Sequence, residues 1–182
     1  MAVIAQVEDA IIEVLTSVLG NHVRGIETLS GPWTLGALKR ALQFAPCVRV
    51  AFLGGRASRH EDAAIDARFG VYFVAGQGGQ SGRGVAGVIG LYDMLEIALP
   101  ALNELTVPGI GSLFLVETGQ QFAEQTLHLG GAVYGATFEL PNLVLPSIDS
   151  SAALNDFVTF HADSDITGDG APEITTEEVL PQ

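Results

Sequence analysis

Gly82-Arg83-Gly84-Val85-Ala86-Gly87 has the G-x-G-x-x-G spacing of a dinucleotide-binding turn and stands ahead of a predicted helix. In such a turn the glycines let the backbone bend sharply from strand to helix, and the helix N-terminus faces a pyrophosphate. Here the preceding predicted strand ends near Val74, so the corner is too long for that geometry. The acid that should reach the ribose lies about 20 residues on; nearby Glu104 follows the same helix rather than a second parallel strand. Gly76, Gly78 and Gly79 crowd the same stretch, so the match arises by chance, and the preferred reading is a flexible loop from Gly76 to Gly87.

Asp163, Asp165, Thr167, Gly168 and Asp169 resemble the start of a calcium loop, but the twelfth position, which needs a bidentate Glu, is Ile174. A solvated acidic segment accounts for them better. No two of His22, His60, His128 and His161 have the i, i+3 or i, i+4 spacing of a helical metal pair. Neither a G-x-S-x-G elbow nor a phosphate-binding P-loop is present. Cys47 opens a predicted strand, where a buried, inert thiol is the ordinary outcome. The expectation is a protein that is not an enzyme and has no cofactor or metal.

The elements that position these residues follow from periodicity. Ile4, Val7, Ile11, Val14, Leu15 and Val18 form the stripe of a helix over Val3–Leu19, ended by Gly20-Asn21. Val23–Leu29 reads as a short strand. Thr34 is placed to cap a helix over Leu35–Phe44, which Ala45-Pro46 stops. Val48, Val50 and Phe52 alternate along a strand to Leu53, and Gly54 to Ile65 reads as a charged loop. Phe69, Val71 and Phe73 share one face of a strand over Arg68–Val74. Val88–Leu99 is predicted helical with a stripe at Val88, Leu91, Tyr92, Leu95 and Leu99, and Val107-Pro108-Gly109 as a turn. Strands follow over Leu113–Thr118 and Ala132–Leu140. This order predicts an α+β fold, a mostly antiparallel sheet with helices packed on one face. The expected organisation is one domain over 1–162, with the Gly-rich loop at 76–87, and an exposed acidic tail over 163–182.

The chain has 182 residues with eight Lys and Arg against 21 Asp and Glu, a formal net charge of −13. Such a surface repels phosphate and argues against nucleic-acid affinity. No apolar run approaches the ~18 residues of a membrane span, and the N-terminus lacks the basic start of a signal peptide. Glu8, Glu13, Asp93, Glu96 and Glu104 are expected to face solvent from their helices.

Four segments together resemble a known family: Val7–Ile12, the helix–strand run Leu38–Arg56, the helix Ile89–Glu96, and Tyr134–Pro141. In this order they are similar to the tail-terminator family of Mu-like phages and prophages, and the likeness spans most of residues 1–165. The resemblance implies a homo-oligomeric ring, of six copies, that caps the head-proximal end of the tail tube. It implies as partners other copies of the chain, the tail tube protein, and sheath and head–neck connector proteins. DNA would pass through without specific binding, and the protein would be assembled in the host cytoplasm into the virion tail. The Gly76–Gly87 loop and the acidic C-terminal extension depart from the family pattern.

Candidate interface residues are Trp33, Arg49, Arg56, Arg59, Arg68, Gly78, Gly79, Gly82, Arg83 and Gly84. Trp33 is either a core plug or an anchor at a subunit contact. The arginines either pair locally with Glu61, Asp62 and Asp66 or meet acids of a neighbouring copy, including the tail acids Asp163 to Glu178. The glycine loop would order on contact. Two alternatives stand beside the terminator: another head–tail neck adaptor, and a small-molecule-binding domain built on Gly82–Gly87.

Overall fold

In the computed structural model, residues 2–29, 31, 33–58, 63–76, 88–122, 126, 128–145, 159–164 and 174–179 are described. Strand β3 (Ala64–Ala75) lies at the centre, flanked on both sides by antiparallel partners, β2 (Cys47–Ala57) and β7 (Ala132–Val144). β1 (Ile26–Thr28) joins β2 in parallel, and β6 (Phe114–Gln121) joins β7 antiparallel, giving the order β1-β2-β3-β7-β6. The molecule is α+β with a mostly antiparallel sheet, as expected.

Alternation along these strands sorts their side chains into two cores. Val48, Val50, Phe69, Val71, Phe73, Ala136 and Phe138 face one side. There α1 (Val3–Leu19) contributes Val7, Ile11, Leu15 and Leu19, and α3 (Leu91–Leu102) contributes Leu91, Met94, Ala98 and Leu102. The opposite parity, Cys47, Val74 and Val133, meets Leu38 and Ala41 of α2 (Leu35–Gln43). Helices on one face therefore describes α1 and α3; α2 packs against the other side of the sheet. Thr34 caps α2 as its sequence suggests, its Oγ1 accepting the Ala37 N–H at 3.1 Å.

Several boundaries differ from the expected ones for physical reasons. β2 runs on to Ala57, through residues expected in a loop, because a bulge between Phe52 and Gly54 absorbs one residue. Gly54 has φ +99°, a conformation that favours glycine. α3 begins at Leu91 and continues through Pro100 to Leu102. Its buried stripe is Leu91, Met94, Ala98 and Leu102, while Val88 and Tyr92 are exposed. Pro100 is tolerated because it and Glu96, whose carbonyl loses the helical bond, both lie on the exposed side. Gly90 precedes the helix, and Asp93 accepts its N–H at 3.0 Å.

β4 (Thr106–Val107) and β5 (Gly111–Ser112) form a small hairpin around the expected turn. The start of β6 is secured from the side away from β7. Leu113 exchanges backbone bonds with Glu104 and Leu105, and Asn103 Oδ1 accepts the Leu115 N–H at 3.1 Å. The chain divides into two units, Met1–Leu145 and Pro146–Gln182. In the second, β8 (Thr159–Ser164) and β9 (Ile174–Val179) pair antiparallel. The boundary expected after residue 162 thus falls inside β8, and part of the expected tail is a paired strand. The Gly-rich stretch from 77 to 87 lies outside the described residues.

Glu8 corrects one expectation directly. It is half-buried rather than solvent-facing, and its Oε1 accepts the Phe52 N–H at 3.0 Å at the β2 bulge. Burial raises its pKa above the ordinary 4.5, opposed by that hydrogen bond, with Asp9 raising it further. A raised folded-state pKa means stability that is fully present below the unfolded value and lost as pH rises through the folded one. Glu8→Gln keeps an acceptor and removes the charge. It is expected to unfold at higher denaturant than the wild type at pH 7, with the difference vanishing below pH 4.5. Glu8→Ala orphans the Phe52 N–H and is expected to cost on the order of 1–3 kcal/mol at both pH values. Urea titrations at the two pH values check both.

Candidate functional site

The side of the sheet that carries α2 is only partly covered. Trp33 enters from the turn before α2, packing edge-on to Tyr72 with ring centroids 5.3 Å apart and against Phe122 at 5.6 Å. Tyr72 of β3 reaches across Gly70: a Cβ there would meet the Tyr72 ring at 3.0 Å and Leu53 Cδ1 at 3.1 Å. A glycine at this point lets an aromatic ring lie flat on the sheet. Beside Trp33 opens a cleft of about 370 Å³ walled by Leu29, Gly31, Ala51, Leu53 and Tyr72. On its far side a smaller one of about 210 Å³ is bounded by Thr34, Leu35, Leu38 and Phe122.

Trp33 packs against the second core and also forms a wall of open space. Its indole N–H is buried and makes no hydrogen bond. Burial raises the Tyr72 pKa above 10.0; the nearby Trp33 N–H opposes the rise without reaching hydrogen-bond geometry. A buried donor without an acceptor is costly, and the nearest group it faces is the Tyr72 hydroxyl.

The arginines separate. Arg49 is largely buried and pairs with Glu27 at 3.3 Å, and Arg68 pairs with Glu139 at 3.1 Å. Among the described residues neither pairs with Asp66, and Glu61 and Asp62 lie outside the described residues. Strand pairing brings Glu139 beside Arg68 across β3 and β7, while Asp66 accepts the Asn142 N–H at 3.0 Å. Arg56 is exposed near the end of β2 and makes no ion pair among the described residues. The structure therefore brings Trp33 and Arg49 to one face, through Tyr72, which lies opposite Arg49 in register. Arg59, Gly78, Gly79, Gly82, Arg83 and Gly84 lie outside the described residues.

Sequence reasoning missed Tyr72, Leu53 and the apolar run Phe114-Leu115-Val116, which is exposed at the start of β6. The one available signal for the run was three successive large apolar residues in a strand, which must turn at least one of them outward. Among the described residues no group of three or more His, Cys, Asp or Glu could hold a metal ion. Nor does any described helix have the length and apolarity to cross a membrane.

Fold and site together define a small α+β protein whose helix-flanked sheet keeps an aromatic cleft open at its surface. The Bacteriophage Mu, Gp37 family matches residues 3–141, and the chain belongs to that family. A relative is the Mu-like prophage FluMu protein gp37 of Haemophilus influenzae (strain ATCC 51907 / DSM 11121 / KW20 / Rd). It is 28% identical over 182 residues, covering 97% of this chain and 91% of that protein. The resemblance to a Mu-like phage family is borne out at the level of the family.

Cys47 is buried, with its Sγ 3.4 Å from the Ala41 carbonyl. Burial raises its pKa above 9.0, only partly offset by Arg49. Thiolate is the reactive form, so the native thiol is expected to resist a disulfide reagent at pH 8. The denatured chain should then react with one equivalent, matching its single cysteine. Rapid labelling of the native protein would show that the β2–α2 contact opens.

Proposed function

We propose that the protein is the tail terminator of a Mu-like phage: a ring that docks on the last subunits of the tail tube, ends its growth and meets the head–neck connector. The observation that carries this is the coincidence of resemblance, family and fold. The four segments similar to tail terminators all lie within the family match, residues 3–141. They also build α1, α2 with β2, the start of α3, and β7, the framework of the sheet.

The mechanism is one of surfaces, and the protein acts as a structural component rather than as a catalyst. One face of the ring repeats the docking surface of a tube ring, and the other cannot accept a further tube subunit. The net charge of −13 suits a channel wall past which DNA slides, because a basic wall would hold phosphates by releasing their counterions. Arg49 and Arg68 are already paired within the chain, so among the four candidate arginines Arg56 is the described one left to meet a neighbour's acids. In this reading the glycine-rich stretch Gly76–Gly87 makes contacts on assembly. A neck adaptor would share the surface chemistry but not the position.

Antibody-labelled electron microscopy of purified tails is expected to place the protein at the head-proximal end of the tube. Label at the baseplate end would remove the terminator assignment, and label on the connector of tailless heads would favour the neck adaptor. Deleting Gln77–Gly84 is expected to leave the thermal unfolding of the chain unchanged and to lower the yield of complete virions. A wild-type yield would make the segment a passive linker.

A further inference from the structure

Two exposed apolar features lie at opposite edges of the sheet, and both are made by bulges. Among the described residues β1 no longer covers β2 past Val50, so β2 itself becomes the edge. Its bulge leaves Leu53 without a partner on β3, and Leu53 is 46% exposed on the lip of the Trp33 cleft. At the other edge a bulge between Leu115 and Glu117 leaves Val116 without a partner on β7, 48% exposed next to Phe114 at 45%. Bulges re-aim side chains at sheet edges.

We propose that these features are complementary: the Phe114–Val116 segment of one copy inserts into the Trp33 cleft of the next. This rests on the ring proposed above and names the surfaces that would join its subunits. The cleft, about 370 Å³, has room for an aromatic side chain. Charge repeats the complementarity. On β2 the exposed Leu53 is followed by the exposed Arg56, which makes no ion pair among the described residues; on β6 the exposed Val116 is followed by the exposed Glu117. Opposite charges beside matching apolar surfaces set register and suppress wrong pairings.

The inserting segment is already held in place. The Asn103 bond to Leu115 and the backbone bonds of Leu113 fix it before contact, so little ordering entropy opposes insertion. Because donor and acceptor surfaces differ and sit at opposite edges, the contact is head-to-tail. Such contacts close into rings when the rotation between copies allows.

The full chain is tested under the conditions in which the wild type forms rings, alone or on purified tail tubes. Leu53→Cys and Val116→Cys variants are mixed and mildly oxidised. A disulfide between the two variants is expected, while native Cys47 stays buried. Leu53→Cys linking only to itself would overturn the proposal. In sedimentation, Phe114→Asp is expected to weaken self-association by about thirtyfold or more. Arg56→Glu and Glu117→Arg should each weaken it by about fivefold, and the two together should recover it. Emission of Trp33, the sole tryptophan, should shift to the blue on assembly of the wild type and not in Phe114→Asp. Unchanged thermal unfolding verifies that each variant is folded. Rings formed equally well by Phe114→Asp and by both charge variants would overturn this contact and leave the ring itself standing. A wild type that stays monomeric alone and on tail tubes would overturn both.

Discussion

Everything in the first unit depends on the burial of β3 from both sides. Its register with β2 and β7 is continuous except at bulges, so each successive side chain has an assigned face. Phe69 and Phe73 go to the side of α1 and α3, while Tyr72 and Val74 go to the side of α2. A one-residue slip would exchange these sets and leave both cores unfilled. The three fully buried phenylalanines, Phe69, Phe73 and Phe138, lie on neighbouring strands and fix that register where it matters most.

What was legible in the sequence is what local periodicity encodes. α1 runs over the expected Val3–Leu19, Thr34 caps α2, and the alternation of Phe69, Val71 and Phe73 marks a core face. The features that were not legible arise from pairing between distant segments. Nothing near Glu8 in the chain shows that it will meet the Phe52 N–H. That contact exists because α1 crosses a bulge in β2. The α3 stripe was misread because Tyr92 is apolar enough to count toward a buried face, yet it stands outside against Tyr134, with ring centroids 6.3 Å apart.

The candidate site shows the same division. Trp33 was singled out by type alone, but the cleft beside it needs Tyr72 lying over Gly70 and Leu53 displaced by a bulge, neither of which a linear reading can supply. The arginine group looked like one patch because its members are close in sequence. The sheet disperses it, sealing Arg49 with Glu27 and Arg68 with Glu139 and leaving Arg56 apart.

The bonds that Asn103, Glu104 and Leu105 make to residues 113 and 115 also have a protective effect. An edge strand with a naked backbone recruits any extended chain it meets, and stacks of such additions grow into fibres. Here the Leu115 N–H, in the most apolar part of β6, is already engaged, and the bulge at Val116 breaks the flat ladder that stacking needs. The segment therefore presents apolar side chains while withholding part of its backbone from misfolded neighbours. An apolar surface of this kind is kept exposed with little of the risk that a naked strand edge would carry.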